Sequence, residues 1–124
     1  MQTYKVTVDN EGTICWYNEK GEFHRLDGPA VEYQDENKFY YVNNELHREG
    51  GPAVEYPDGY KAYWFNGKLH REDGPAIEYL DGTKAYWIND EELTEEQFFN
   101  RNKKELTVKQ IEDLLGYSIK IVKE

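Results

Sequence analysis

Basic residues are scarce in this chain of 124 residues: 15 Lys and Arg stand against 25 Asp and Glu, a formal net charge of −10. Duplex nucleic acid is held largely by cationic neutralisation of its phosphates, so direct nucleic-acid binding is not expected. Cysteine is nearly absent. The single Cys15 excludes an internal disulfide, and no Cys/His zinc pattern exists. Within Ile14-Cys15-Trp16-Tyr17 the thiol reads as a small buried hydrophobe. No apolar run is long enough for a signal peptide or a membrane span, so the expected location is the cytoplasm, with no membrane partner.

What the chain has in quantity is aromatic residues, 11 Tyr, 5 Phe and 3 Trp, and a repeat. His24-Arg25-Leu26-Asp27-Gly28-Pro29-Ala30, His47-Arg48-Glu49-Gly50-Gly51-Pro52-Ala53 and His70-Arg71-Glu72-Asp73-Gly74-Pro75-Ala76 succeed one another every 23 residues (47 − 24 and 70 − 47). Ala-x-Glu-Tyr-x-Asp follows each time, with Glu32, Glu55 and Glu78 at equivalent positions. A fixed period of this length marks stacked repeats. In each unit the pattern predicts a short strand (Ala53–Tyr56), an Asp-Gly turn, a longer strand (Tyr60–Phe65) and an Asn-Gly-type turn. Lys68-Leu69-His70-Arg71 reads either as a third strand or as a connector. Three antiparallel strands per unit would reverse direction at every repeat, so two strands and a connector are expected.

Before the array, Thr3–Val8 and Thr13–Tyr17 alternate as a hairpin that covers its open edge. After it, two capping boxes open helices, one at Thr94-Glu95-Glu96-Gln97 and one at Thr107-Val108-Lys109-Gln110. Gly116 ends the second, and Tyr117–Val122 alternates as a last strand. The division is therefore 1–92 for hairpin plus repeats and 93–124 for a helix–helix–strand cap forming one unit with them. The fold class expected is mainly β with a small α+β cap: an elongated, twisted, single-layer antiparallel sheet.

The run Tyr63-Trp64-x-Asn66-Gly67-Lys68-x-His70…Gly74…Glu78-Tyr79-x-Asp81-Gly82…Tyr86-Trp87 resembles a divergent MORN repeat, whose pattern is Tyr-x-Gly-x-Trp-x-Asn-Gly-Lys-x-His-Gly-x-Gly. Here His is followed by Arg and an Asp-Gly-Pro-Ala turn, and the Gly between Tyr and Trp is missing. The His-Arg-x-Asp-Gly-Pro-Ala form is more similar to repeats of small bacteriophage proteins. The resemblance covers about residues 16–92. It implies a scaffold or binding surface and not an enzyme, which is an argument at the level of fold.

Equivalent residues two strand spacings apart lie roughly 9.6 Å from one another. His24, His47 and His70 therefore cannot share a metal ion, and no metal or cofactor is expected. Each ring is expected to pack beside residues such as Tyr63 or Tyr86 and to hydrogen-bond a turn. Arg25, Arg48 and Arg71 are expected to pair with Glu32, Glu55 and Glu78 in a ladder, each exposed rung contributing about 0–1 kcal/mol. A row of guanidinium forks presented to a ligand is the alternative. One sheet face, bearing Tyr41, Trp64 and Trp87, is either a partner or homodimer interface, or folds its aromatics against one another. The candidate partner-binding residues are thus Tyr41, Trp64, Trp87, Arg48, Arg71, Glu55 and Glu78.

The leading expectation is a non-enzymatic protein that docks a protein partner through an acidic, aromatic surface. On the phage resemblance, the partner is a basic nucleic-acid-binding defence effector of the host, inhibited in an anti-CRISPR-like manner in the host cytoplasm. A nucleotide-sequestering protein and a structural phage component are the alternatives. Acid–base catalysis by His47 or His70 with Glu55 or Glu78 is disfavoured, because active sites are unique and these residues recur.

Overall fold

The computed structural model describes residues 3–103, 106–118, 120 and 122. It is mainly β. β1 (Lys5–Val8) and β2 (Ile14–Tyr17) form the first hairpin. The following units contribute β3 (Val31–Glu32), β4 (Lys38–Phe39), β5 (Tyr41–Val42) and β6 (Glu45–Leu46), then β7 (Val54–Glu55), β8 (Lys61–Ala62), β9 (Trp64–Phe65) and β10 (Lys68–Leu69). The last unit has β11 (Ile77–Glu78), β12 (Lys84–Ile88) and β13 (Glu91–Leu93). The main sheet is antiparallel and nine-stranded, in the order β1-β2-β3-β4-β7-β8-β11-β12-β13. β5–β6 and β9–β10 are separate two-stranded hairpins.

These hairpins correct the expected unit. Lys68–Leu69 is a strand and not a connector, pairing with Trp64–Phe65. The expected long strand divides in two at Tyr40 and again at Tyr63. The physical cause is the competition for one backbone donor. The Tyr40 and Tyr63 N–H groups donate to the Ala53 and Ala76 carbonyls of the next unit, both at 2.7 Å. The chain beyond then turns into a hairpin of its own. Tyr86 has no further unit to donate to, pairs with Leu93 instead, and β12 runs unbroken for five residues. Each unit still adds two strands to the main sheet, so successive units remain equivalent.

Cross-strand register sorts the side chains into two rows. Cys15, Val31, Phe39, Val54, Ala62, Ile77 and Ala85 lie opposite one another in turn. Their sequence neighbours form a second row, Glu32, Lys38, Glu55, Lys61, Glu78 and Lys84, alternating in charge. Adjacent residues of a strand face opposite sides, so one side is apolar and the other is a ladder of opposite charges. Val31, Val54, Ala62 and Ile77 are buried. Leu46, Trp64, Leu69 and Trp87, from the second hairpins and the end of β12, pack against Val54, Ala62 and Ile77. Burying a Val or Ile side chain contributes about 1.5–3 kcal/mol. A single sheet thus acquires a core because each unit folds part of itself over the face that the sheet alone would leave wet.

The second hairpins turn through Asn43-Asn44, Asn66-Gly67 and Asn89-Asp90, with positive φ at both positions in every case. That is the type I′ turn, whose twist matches the flanking strands.

At the far end, α1 (Glu95–Asn100) starts at Thr94 with both halves of the capping box formed. α1 is the cap on the array. Thr94 occupies the place of the next repeat arginine, and Phe98 of α1 lies on Tyr86 with ring centroids 4.7 Å apart. Phe98 is 2% exposed. Arg101 in turn stacks on Phe98, 3.9 Å from its centroid, and donates to the Glu72 carbonyl, tying the helix to the last His-Arg turn. α2 (Val108–Leu115) also forms as expected, between a Thr107 capping box and Gly116 at φ 79°. It buries no residue, so of the two helices in the expected cap α1 alone contributes a buried side chain. The expected strand at Tyr117–Val122 lies partly outside the described residues.

Candidate functional site

The repeated polar side chains are best understood from the turn upward. Each arginine runs back across its own Gly-Pro turn, where the Nη1 atoms of Arg25, Arg48 and Arg71 donate to the carbonyls of Pro29, Pro52 and Pro75 at 3.3, 3.0 and 3.1 Å. The other side of each guanidinium is covered by an aromatic ring: Trp16, Tyr40 and Tyr63, at 3.9, 4.0 and 4.0 Å from centroid to Cζ. Glycine at the turn is what admits the arginine. A Cβ built on Gly28, Gly51 or Gly74 would lie 2.7, 2.9 or 2.9 Å from the Cζ atom. The expected ladder is present for Arg48–Glu55 and for Arg71–Glu78, the latter at 3.5 Å. Arg25 and Arg71 also hold Asp27 and Asp73 through Nε, at 2.9 and 2.8 Å.

Each histidine serves the unit after its own. Nδ1 of His24, His47 and His70 accepts the backbone N–H of Asn43, Asn66 and Asn89 at 3.0, 2.9 and 3.1 Å. An accepting Nδ1 places the ring proton of the neutral imidazole on Nε2. The expected hydrogen bond to a turn is therefore present, reaching across to the next repeat's type I′ turn. The ring neighbours differ from those expected: His47 packs on Phe65 (4.5 Å) and His24 on Tyr4 (6.0 Å).

Between successive His-Arg turns lie two equivalent grooves. One of about 540 Å³ is lined by Arg25, Asp27, Tyr40, His47, Arg48 and Glu49. The next, about 380 Å³, is lined by their counterparts, including Arg48, Tyr63, His70 and Arg71. One face of each guanidinium there lies on a ring and its Nη1 is bonded to a proline carbonyl, and the grooves are also lined by exposed Glu49 and Asp73. A phosphate would meet those carboxylates as well as the arginines.

On the apolar side of the sheet, a second feature repeats. Tyr33, Phe39, Tyr56, Tyr60 and Tyr79 form a continuous aromatic strip, successive centroids being 5.7, 6.0, 5.1 and 5.9 Å apart. Tyr33 and Tyr79 are 44% and 42% exposed. Burial raises the Tyr60 hydroxyl pKa, with Tyr79 and Tyr56 adding to it. Beside the strip stand the exposed turn residues Asp35, Asp58 and Asp81. Each accepts from the N–H two residues on, at 3.2, 2.9 and 2.9 Å, which fixes the carboxylate at the turn.

The seven residues expected at a partner surface are thus distributed. Arg48 meets Glu55, and Arg71 meets Glu78, on the charged side. Trp64 and Trp87 are half-buried against the Val54, Ala62 and Ile77 cluster. Tyr41 stacks on Phe23 at 5.3 Å, and burial, then Tyr33, raises its hydroxyl pKa. Of the two roles open to these aromatics, the structure gives Trp64 and Trp87 the internal one. Outside that set, Tyr33, Tyr56 and Tyr79 form a row in the aromatic strip, and Lys38, Lys61 and Lys84 are the basic members of the charged ladder. Both sets recur every 23 residues, and that spacing is their signal in the sequence. Compared with family models, with curated proteins and with solved structures, the chain shows no match.

Proposed function

We propose that the chain is a non-enzymatic binding module whose aromatic strip and acidic turns dock a basic protein. The observation that carries this reading is the pairing of an aromatic row, Tyr33 to Tyr79, with carboxylates at the same period. Tyrosine offers large contact area at low entropic cost, and a flanking row of charge selects and steers a partner of opposite sign. Support comes also from the repeat's own chemistry. The three histidines and three arginines hold one unit to the next or to its turn, so each is already engaged as a structural group.

With the resemblance to MORN-like phage repeats, the partner class we favour is a basic nucleic-acid-binding effector of a host defence system, occluded in the host cytoplasm. The sequestering alternative needs arginines free to take an anion, and at the grooves each Nη1 already donates to a proline carbonyl beside the acidic Asp27, Glu49 and Asp73.

The test is light scattering of the purified chain mixed with such effectors, repeated with Tyr33→Ser and Tyr79→Ser. A complex that weakens tenfold or more in the double variant and with rising salt supports the reading. A complex indifferent to both Tyr changes, or none with any basic effector, refutes it.

A further inference from the structure

The main sheet begins at β1, which among the described residues has a neighbouring strand on one side only. Its hydrogen-bonding phase can be read from two bonds. The Asp9 N–H donates to the Thr13 carbonyl at 3.1 Å. Paired residues in an antiparallel ladder alternate between bonded and non-bonded, so Thr7 and Lys5 also direct their backbone groups at β2. Val6 and Val8 then direct theirs outward. Trp16, opposite Val6, agrees: its N–H turns away from β1 to the Ala30 carbonyl, at 2.7 Å. The two outward-bonding residues are also 45% and 67% exposed. No proline interrupts β1, and Lys5 is its one charged residue. Edges of this kind pair with another strand unless something blocks them.

We propose that β1 pairs antiparallel with β1 of a second copy, with Val6 opposite the second copy's Val8 and Thr7 on the two-fold axis. Three registers satisfy the backbone phase: Val6 on Val6, Val6 on Val8, and Val8 on Val8. The first leaves Lys5 opposite Thr7. The third runs the strand into the Asn10–Glu11 turn. The middle one pairs Val6–Val8 of the two copies throughout and sets Lys5 against Asp9, the residue that follows β1 in the other copy. The edge is thus self-complementary, as an isologous contact requires. Thr7 is the register partner of Cys15, which continues into the apolar row, so this junction joins the two apolar rows through a Thr7–Thr7 pair. A two-fold axis perpendicular to the sheet keeps both aromatic strips on one side. The inference does not depend on what those strips bind.

Two measurements on the full chain test it. In light scattering over rising concentration, mass should approach twice that of the chain, and Val6→Pro, which removes an outward N–H, should remain monomeric with unchanged far-UV circular dichroism. Register is tested by thiol trapping in a Cys15→Ser background, since Cys15 faces Thr7 within one chain. A non-bonded antiparallel pair has Cα atoms about 4.5 Å apart, within disulfide range. Thr7→Cys should therefore cross-link between copies at least tenfold faster than Val6→Cys or Val8→Cys. A monomer at every concentration with no Thr7→Cys cross-link overturns the proposal. So does a dimer that persists in Val6→Pro, or one that cross-links faster at either valine. If Val6→Pro unfolds the chain, trapping decides alone.

Discussion

Gly51→Ala isolates the reason each unit carries Gly-Pro beside its arginine. The Cβ would lie 2.9 Å from both Cζ and Nη1 of Arg48, and Gly51 does not occupy the positive-φ region, so the conflict is with the side chain and not with the backbone. Arg48 would swing away. It would lose its stack on Tyr40, about 0.5–1 kcal/mol at a partly exposed site. It would lose the bond to the Pro52 carbonyl, about 0.5–1.5 kcal/mol. It would also lose the Glu55 pair, which at roughly one-third exposure of both partners is held to about 0–1 kcal/mol. Lower entropy of the unfolded chain returns about 0.4–1 kcal/mol. The expected net loss is about 1–2 kcal/mol, read from urea unfolding. The decisive comparison is Arg48→Ala with and without Gly51→Ala. Once the guanidinium is gone, only the entropic gain is left, and the added methyl should stabilise by about 0.4–1 kcal/mol. Additive losses would refute the steric argument. Gly50→Ala is a built-in contrast: φ is +83° and nothing lies within 4 Å, so its cost is conformational and should be unchanged in the Arg48→Ala background.

Three further outcomes are expected. His47→Ala leaves the Asn66 N–H without its acceptor and should cost about 1–2 kcal/mol, while His47→Asn, whose amide oxygen can take the Nδ1 place, should recover part of it in the same urea assay. Phe98→Ala opens the cap over Tyr86 and should cost about 3–5 kcal/mol, against about 1 kcal/mol for Thr94→Ala at the helix start, compared by thermal unfolding. Acid and alkaline limbs should differ in cause. The Arg71 hydrogen bond and charge hold Asp73 below the usual carboxylate range, and the Thr83 hydroxyl and N–H do the same for Asp81. Their stabilisation is present above pH about 4 and is lost as pH falls through the lowered values, so Asp73→Asn should flatten the acid limb. Burial raises Tyr60 and Tyr86, helped by Tyr79 and Tyr56 at the first and by Glu95 at the second. That contribution is present below pH about 10 and disappears as pH rises through the raised values. Ultraviolet titration should show late-ionising tyrosines that Tyr60→Phe and Tyr86→Phe each reduce.

Particular residues show how far the chain could be read in advance. Asn66-Gly67 announced its turn because both residues tolerate positive φ, and Thr94 and Thr107 announced helix starts by the Gln three places on. These signals are local and need no partner. Arg48–Glu55 and Arg71–Glu78 were legible from their common period, though the ring over each arginine and the Gly-Pro turn beneath it were not. Lys68–Leu69 is not legible as a strand because it pairs outside the main sheet, where the parity argument for connectors does not apply.

The sequence by itself determined the repeat, the antiparallel order, the turn types and the place where the array stops, since each depends on the conformational preferences of a few adjacent residues. Only the tertiary structure decided which aromatics are inside. Trp64 turns inward because the Tyr63 N–H is drawn to Ala76 in the next unit, which starts the hairpin that carries Trp64 onto Val54 and Ala62. Tyr33 and Tyr79, at the edge of that cover, stay exposed. That choice belongs to contacts between units, which no single unit's sequence contains.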